Sequence, residues 1–321
     1  MKNSFKTLVT ALCASAAIFA SGCSNDKETW TVTCPWAPSG VAAVVSQKAS
    51  TLSTKFSDKY ILVSEAIKGD AATVNTWVLD KKAGDPNLVF VGEGLLSITS
   101  IIDPNKLKFS EKDFAYVENL YSSIFVLSAQ SKLGIKTIKD LQNYVKTTSD
   151  TINVAVNGAT SSEAFLAGAL FTAMGAQGKL KLTPYTSAAE AAQAVARGET
   201  TFAVSHQSQI LEASEQGSVD VIAAFDEKPI EHGPFAGVEG VGAYDYPYFR
   251  NRCLVMARAG TDGKTVEELK ALYNKVLSDP EVSKWMQETM LIEVDPLTQQ
   301  QVDEHVQNVK DIINKYKDVI L

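Results

Sequence analysis

Cys34-Pro35-Trp36-Ala37-Pro38-Ser39-Gly40-Val41-Ala42-Ala43-Val44-Val45 is the stretch around which the fold can be worked out. The β-forming residues 30–33 precede it, and a segment with helical apolar periodicity follows it to Phe56. The pattern predicts a strand, a tight turn and a helix start. Ser39 is a favourable N-cap residue, and Gly40 permits close approach of the backbone to a bound group. Such a helix start attracts anions without a basic side chain. An ordinary βα turn without a ligand is the alternative.

Residues 1–22 have the features of a secretion signal. Two lysines come first, an apolar stretch too short to span a bilayer comfortably follows, and small residues precede Cys23. The pattern predicts a lipoprotein signal peptide over 1–22, lipid on Cys23 and a polar tether over 23–29. A plain secretion signal with an unmodified Cys23 is the alternative. We therefore expect an extracytoplasmic lipoprotein anchored to a membrane, on the periplasmic face or, without an outer membrane, on the cell surface.

Composition is that of an ordinary globular protein. The chain has 321 residues, 45% of them hydrophobic and 21% charged, which suits one large or two medium domains. The net charge of −7 argues against nucleic acid as a partner. Three widely separated histidines, with no cysteine at ligand spacing, predict no metal site, and no cofactor is expected. An exported protein permits a disulfide between Cys34 and Cys253, but neither the spacing nor the context requires one.

Short apolar runs alternate with helical segments, which predicts sheets built of βαβ units. The pattern of the first part of the chain recurs over 120–225, so we expect two α/β lobes with a cleft between them. Residues 30–121 with 251–321 are predicted to form the first lobe, and 122–250 the second. Chain crossings near 122–129 and 251–258 would form a hinge. The predicted strands are 30–33, 59–64, 88–92, 124–129, 152–156, 180–185, 200–205, 219–225 and 253–258.

A second turn of the first kind follows the strand 152–156. Asn157-Gly158-Ala159-Thr160-Ser161-Ser162-Glu163 combines a glycine with hydroxyl groups, and Thr160 and Glu163 have the spacing of a capping box. Two such helix starts facing each other across a cleft would bind a small organic anion through N–H and hydroxyl groups. The candidate ligand-binding residues are Trp36, Ala37, Pro38, Ser39, Gly40, Val41, Ala42, Ala43, Gly92, Glu93, Gly158, Ala159, Thr160, Ser161, Ser162, Thr186, Ser187, Ser205 and His206.

Two of these candidates have equally plain structural interpretations. Trp36 suits a core position as well as a cleft wall, and His206 suits a polar turn better than a ligand contact. Ser205-His206 is the only serine–histidine adjacency, and sequence neighbours do not make a catalytic triad. The sequence therefore predicts a binding protein and not an enzyme.

Several short motifs, in order, resemble the tripartite tricarboxylate transporter substrate-binding proteins, also called the Bug family. The loop 33–43 is similar to the family's V-P-F-P-P-G-G-x-x-D, and 63–71 to V-x-N-R-P-G-A-G-G. Gly158-Ala159-Thr160-Ser161-Ser162 through 166–171 resembles G-x-G-T-S with L-A-G-E-L-F, with about two extra residues in the turn. Further similarities are Asp113-Phe114 through Leu120 to D-F-x-P-V-x-L, 136–141 to K-T-V-K-D-L, 183–189 to V-P-Y-K-G-x-x-x-A and 277–282 to L-x-D-P-E-V.

The resemblance implies a two-lobed periplasmic-binding-protein-like α/β fold, each lobe a mainly parallel sheet flanked by helices. It implies capture of a small carboxylate between the lobes and delivery to the permease subunits of a separate membrane transporter. A ligand sensor that acts on a histidine-kinase ectodomain is the alternative. The family's loop aspartate falls on Ala43 and one loop glycine on Ser39, so an amine-bearing ligand is not expected.

Overall fold

The computed structural model describes residues 27–38 and 40–320. The predicted signal peptide, Cys23 and Ser39 lie outside this part of the chain. The first strand already begins at Glu28. The predicted tether over 23–29 is therefore too long at its carboxyl end, because Glu28 and Thr29 pair with Tyr60 and Ile61 of the neighbouring strand.

The first sheet has five strands in the order β2-β1-β3-β10-β4. Strand β10 pairs antiparallel with both neighbours, so the other four strands run in one direction. Residues 88–91 are fully buried, as a continuously apolar run predicts for a strand covered on both faces. The strands are β1 (Glu28–Cys34), β2 (Tyr60–Ala66), β3 (Asn87–Gly92), β4 (Phe114–Ser123) and β10 (Asn251–Arg258).

The second sheet repeats this plan in the order β7-β6-β8-β5-β9. Here β5 is the one strand that opposes the other four. The expected mainly parallel sheets are thus present in both lobes, each with one reversed strand. The strands are β5 (Phe125–Gln130), β6 (Ile152–Asn157), β7 (Leu180–Tyr185), β8 (Phe202–His206) and β9 (Val219–Ala224).

Helices cover both faces of each sheet. They are α1 (Val41–Phe56), α2 (Ala71–Asp80), α3 (Ser100–Ile102), α4 (Ile138–Thr147), α5 (Ser162–Ala173), α6 (Ala188–Arg197), α7 (Gln207–Glu215), α8 (Gly263–Leu277), α9 (Pro280–Trp285) and α10 (Gln299–Ile320). A π-helical turn, Leu95–Thr99, leads into α3, and a second, Met286–Met290, follows α9. Two apolar clusters fill the faces of the first sheet and two fill those of the second.

Helix α10 packs on both lobes. Val302 and Val306 belong to a core cluster of the first sheet. Val309 and Ile313 belong to the cluster that contains Phe165 of α5 in the second sheet. The prediction that all of 251–321 completes the first lobe therefore fails for the last turns of α10, because its apolar face continues past the lobe boundary.

The chain passes between the sheets at Ile124, which separates β4 from β5. The return passage is the long segment 225–250 between β9 and β10. Cys34 and Cys253 are both buried and free. Strand β3 lies between their strands, which puts the two backbones about 9–10 Å apart, beyond the ~7 Å that a disulfide spans.

Candidate ligand-binding cleft

Two adjoining cavities lie between the lobes, of about 450 Å³ and about 180 Å³. The first falls within the range of roughly 300–1,000 Å³ that is usual for small-molecule sites. Both are lined by residues of the two lobes. The residues shared by the two cavities are Asp70, Leu95, Ile98, Thr99, Thr160 and Ser161.

The wall contributed by the second lobe is the start of α5. Strand β6 ends at Asn157, and Gly158 turns the chain at a φ of 84° that favours glycine. Ser161 caps the helix, because its Oγ accepts a hydrogen bond from the Ala164 N–H at 3.1 Å. Asn157, Gly158, Thr160 and Ser161 line the larger cavity. The first N–H groups of α5 thus lie at a cavity wall that also carries the hydroxyl groups of Thr160 and Ser161.

The predicted capping box of this turn is wrong in detail. The cap is Ser161 and not Thr160, so the helix begins one residue later than the spacing predicts. The Glu163 carboxyl is buried beside Ser161 and Asn157, whose hydrogen bonds favour its ionised form. Burial has the larger effect and raises the pKa of Glu163 to about 7.

The wall contributed by the first lobe is the turn after β3. Gly92 and Gly94 line the smaller cavity, and Leu95, Ile98 and Thr99 of the π-helical turn line both. A Cβ at Gly94 would stand 3.5 Å from Ser162 Oγ, so the lobes touch here. π-Helical turns occur frequently at functional sites, because they re-aim side chains inside a helix.

Glu93, a predicted ligand contact, is instead fully buried behind this wall. Ser97 Oγ donates to its carboxylate at 2.9 Å, and Oε1 has no hydrogen-bond partner among the described residues. Burial raises the pKa of Glu93 to about 7, although the nearby positive charge of Arg252 favours the ionised form.

The loop before α1 supports the cleft from behind. A Cβ at Gly92 would come within 3.2 Å of the Trp36 ring, so Trp36 packs against the backbone of the turn after β3. The Trp36 indole donates to Asp70 Oδ1 at 3.1 Å. Helix α1 begins at Val41 with Gly40 as N-cap and no side-chain capping bond. The capping role predicted for Ser39 falls on a residue outside the described part of the chain. Gly40 holds the extended conformation of an N-cap.

Of the predicted site residues, Gly92, Gly158, Thr160, Ser161 and Ser162 line the cavities. The side chains of Ala42 and Ala43 are buried in the first-lobe core, because they lie on the inner face of α1. Thr186 and Ser187 lie after the edge strand β7, where Thr186 Oγ1 donates to Glu190 at 2.6 Å. The predicted residues that line neither cavity are Trp36, Ala37, Pro38, Gly40, Val41, Ala42, Ala43, Glu93, Ala159, Thr186, Ser187, Ser205 and His206.

His206 stands at the passage between the lobes and not in the cavities. Its Nδ1 lies 3.1 Å from Ser123 Oγ at the end of β4, and its ring centroid lies 4.4 Å from that of Phe125. Burial lowers the pKa of His206 to about 4. The Asn251 side chain donates to the same Ser123 oxygen at 3.4 Å and lines the smaller cavity. Ser205 is fully buried, and its Oγ has no hydrogen-bond partner within the described chain. Successive side chains of β8 point to opposite faces, so Ser205 and His206 do not form a catalytic pair.

Sequence reasoning missed Asp70, Leu95, Ile98, Thr99, Asn157 and Asn251 as lining residues. Asn157 and the segment after β3 stand at carboxyl ends of strands, where α/β sheets place ligands. That rule alone points to them. Asp70 lies four residues beyond β2, and no local pattern marks it.

Two α/β lobes, joined by two passages of the chain and enclosing a cleft, define the architecture of the two-lobed solute-binding proteins. Solved structures with this fold include a TctC solute-binding protein from Polaromonas, with a TM-score of 0.76 and 15% identity over 91% of this chain and 100% of that one. MatC from Rhodopseudomonas palustris with bound malate has a TM-score of 0.67 and 19% identity, over 91% and 99% of the two chains. An R. palustris protein with adipate has a TM-score of 0.73 and 16% identity, over 91% and 97%.

The chain belongs to the tripartite tricarboxylate transporter receptor family, whose pattern it matches over residues 47–320. The match begins after the loop 33–43. No curated protein is similar enough in sequence to match. In the described part of the chain, no helix combines the length and the apolar character that a membrane span requires.

Proposed function

We propose that this receptor captures a small organic carboxylate between its lobes and delivers it to the permease subunits of a tripartite tricarboxylate-type transporter. The observation that carries the proposal is the larger cavity, which the start of α5 and the first lobe line together. A ligand that contacts both lobes favours the closed arrangement. A permease that recognises the closed arrangement would therefore bind the ligand-loaded receptor in preference to the empty one. The malate and adipate bound to two proteins of the same fold support a carboxylate as the guest.

The magnitudes agree with recognition by many modest contacts. One helix start contributes about 0.3–1 kcal/mol to a bound anion, and up to about 2 kcal/mol when it is partly buried. Micromolar affinity needs about 8 kcal/mol. Hydrogen bonds from Thr160, Ser161 and Asn157, each of roughly 0.5–1.5 kcal/mol net, and apolar contact with Leu95 and Ile98 supply the remainder.

The same proposal includes a binding role without catalysis and an extracytoplasmic location with a lipid on Cys23. Each buried acyl CH₂ contributes about 0.8 kcal/mol, so several chains hold a protein at a membrane. The lobe boundaries at 30–121 with 251–321 and at 122–250 also belong to it, with the end of α10 shared between the lobes.

Calorimetry with malate, succinate, adipate, citrate and benzoate tests the proposal, and mass spectrometry of a denatured sample tests for a ligand carried through purification. Thr160→Trp fills the cavity and is expected to weaken binding at least tenfold. Thr147→Trp, at an exposed position of α4 outside the cavities, is the matched control and should bind as the parent does. If no organic acid binds, or if Thr160→Trp binds unchanged, the proposed site is wrong.

A further inference from the structure

Asp70 places a carboxylate on the wall of both cavities between the lobes. It stands immediately before α2 with a φ of 46° and a ψ of −120°, a conformation that residues other than glycine avoid. The N–H groups of Gly69 and Asp70 both donate to the Pro35 carbonyl, at 3.1 and 2.8 Å. The loop before α1 therefore holds this residue in place at the cleft, and strain of this kind is concentrated at functional sites.

The Asp70 carboxylate is fixed by a neutral donor and not by a cation. Trp36 Nε1 donates to Oδ1 at 3.1 Å. Among the described residues, no lysine, arginine or histidine lies within ion-pair distance of Asp70. The other charged groups that line the larger cavity, Asp103 and Lys106, pair with each other at 3.0 Å. Asp70 is exposed in the open cleft, where water solvates its carboxylate, and it is the charged group of this lining that has no ion-pair partner among the described residues.

The opposite wall has the opposite polarity. It consists of the start of α5, with the hydroxyl groups of Thr160 and Ser161 and the side chain of Asn157. The N-terminal end of a helix carries a partial positive charge. The cleft thus presents hydrogen-bond donors from the second lobe and a fixed negative charge from the first.

We infer that the ligand of this receptor is a small amino acid, whose ammonium group pairs with Asp70 while its carboxylate lies against the start of α5. This inference rests on the proposed function and narrows it to one class of organic acid. A dicarboxylate without an amine would place its second charge near Asp70, where like charges repel. An amine-bearing ligand was not expected from the sequence, because Ala43 falls on the aspartate of the family's loop motif. Asp70 supplies a carboxylate from a different loop.

Matched ligand pairs that differ only in the amine test this inference by calorimetry. The pairs are L-aspartate with succinate, L-glutamate with glutarate and L-2-aminoadipate with adipate, and putrescine is the amine without a carboxylate. In at least one pair, the amino acid is expected to bind at least tenfold more tightly than its partner. Asp70→Asn should reduce that ratio below threefold, and should leave the partner acid bound as tightly as before or more tightly.

The control is Asp150→Asn, which removes one carboxylate at an exposed position outside both cavities and should keep the parent ratio. Asp70→Asn retains an acceptor for the Trp36 indole, and a thermal melt monitors its folding. The inference is overturned if the plain dicarboxylates bind as tightly as their amino partners, if Asp70→Asn keeps the ratio, or if putrescine binds as tightly as the amino acids. If the amino-acid inference fails in one of these ways but the dicarboxylates bind, the proposed function as a carboxylate receptor is still supported. If none of the acids binds, with or without an amine, the proposed function fails as well.

Discussion

Glu163, a single buried residue in the cleft wall, makes the stability of the folded protein depend on pH. Its folded-state pKa is about 7, above the ordinary value of 4.5. The folded protein therefore holds a proton that the unfolded chain loses above pH 4.5. The stability linked to this group is fully present below that value and is lost as the pH rises to about 7. A shift of this size corresponds to roughly 3 kcal/mol, at about 1.4 kcal/mol per pH unit.

We therefore expect Glu163→Gln to gain stability relative to the parent between about pH 4.5 and pH 7, and to keep a constant advantage above that range. Urea denaturation at half-unit pH steps measures the difference. The comparison is needed because burial lowers the pKa of His206 and His305, which changes the parent's stability in the opposite direction over part of this range. Glu215→Gln, at an exposed position of α7, controls for the loss of one charge. Parallel curves for the parent and Glu163→Gln would contradict the prediction.

Single residues also mark the limit of what the sequence could predict. The strand, glycine and hydroxyl pattern of 152–163 predicted the position of the cleft wall contributed by the second lobe. It did not distinguish Thr160 from Ser161 as the cap, because both are good cap residues and the choice depends on the loop conformation. Asp70 was missed because its place at the cleft results from bonds to Pro35 and Trp36, more than 30 residues away.

At the scale of the elements, the sequence pattern predicted every described strand except β4. This exception has a physical cause. Strand β4 was not predicted, because Glu118, Asn119, Ser122 and Ser123 interrupt its apolar pattern although all four are buried. The reversal of β10 and β5 in their sheets depends on long-range pairing that local patterns do not contain.

Helix α10 gives a prediction at the same scale. A Cβ at Gly168 of α5 would overlap the Ile320 side chain, so Gly168 lets the end of α10 lie close to the second lobe. Gly168→Ala should lower the free energy of unfolding by about 1–3 kcal/mol through overpacking, measured by urea denaturation. Hydrogen exchange should accelerate in the last turns of α10. Gly178→Ala, where the new methyl meets nothing within 4 Å, is the matched control. Equal free energies of unfolding for the two variants would contradict the prediction that the contact between Gly168 and Ile320 stabilises the packing of α10 on the second lobe.

The contact between the lobes gives a prediction for the whole molecule. Gly94 and Ser162 face each other across the cleft, with 3.5 Å between a Cβ at residue 94 and Ser162 Oγ. Because this distance joins a Cβ to a γ atom, it leaves the two Cβ atoms within about 5 Å of each other, which is compatible with the roughly 3.5–4.5 Å between the Cβ atoms of a disulfide. Oxidised Gly94→Cys/Ser162→Cys should exchange ligand at least tenfold more slowly than the reduced form, since the lobes can no longer part. Stopped-flow fluorescence measures the rates.

The two single-cysteine variants control for the substitutions themselves, and a reductant should restore the parent rate. Cys34 and Cys253 are buried, which limits competing disulfides. Unchanged exchange in the fully oxidised protein would mean that ligand enters and leaves without separation of the lobes.

The early start of β1 fixes how a lipid on Cys23 would present the receptor. Only residues 24–27 separate Cys23 from Glu28, a reach of at most about 18 Å. Strand β1 then rises about 20 Å from its amino end to the loop beside the cleft. A receptor attached in this way would have the amino end of β1 near the bilayer and the cleft on the side away from it. Docking to a permease in the same membrane would then require either a part of the permease that projects from the bilayer or a reorientation of the receptor on its tether.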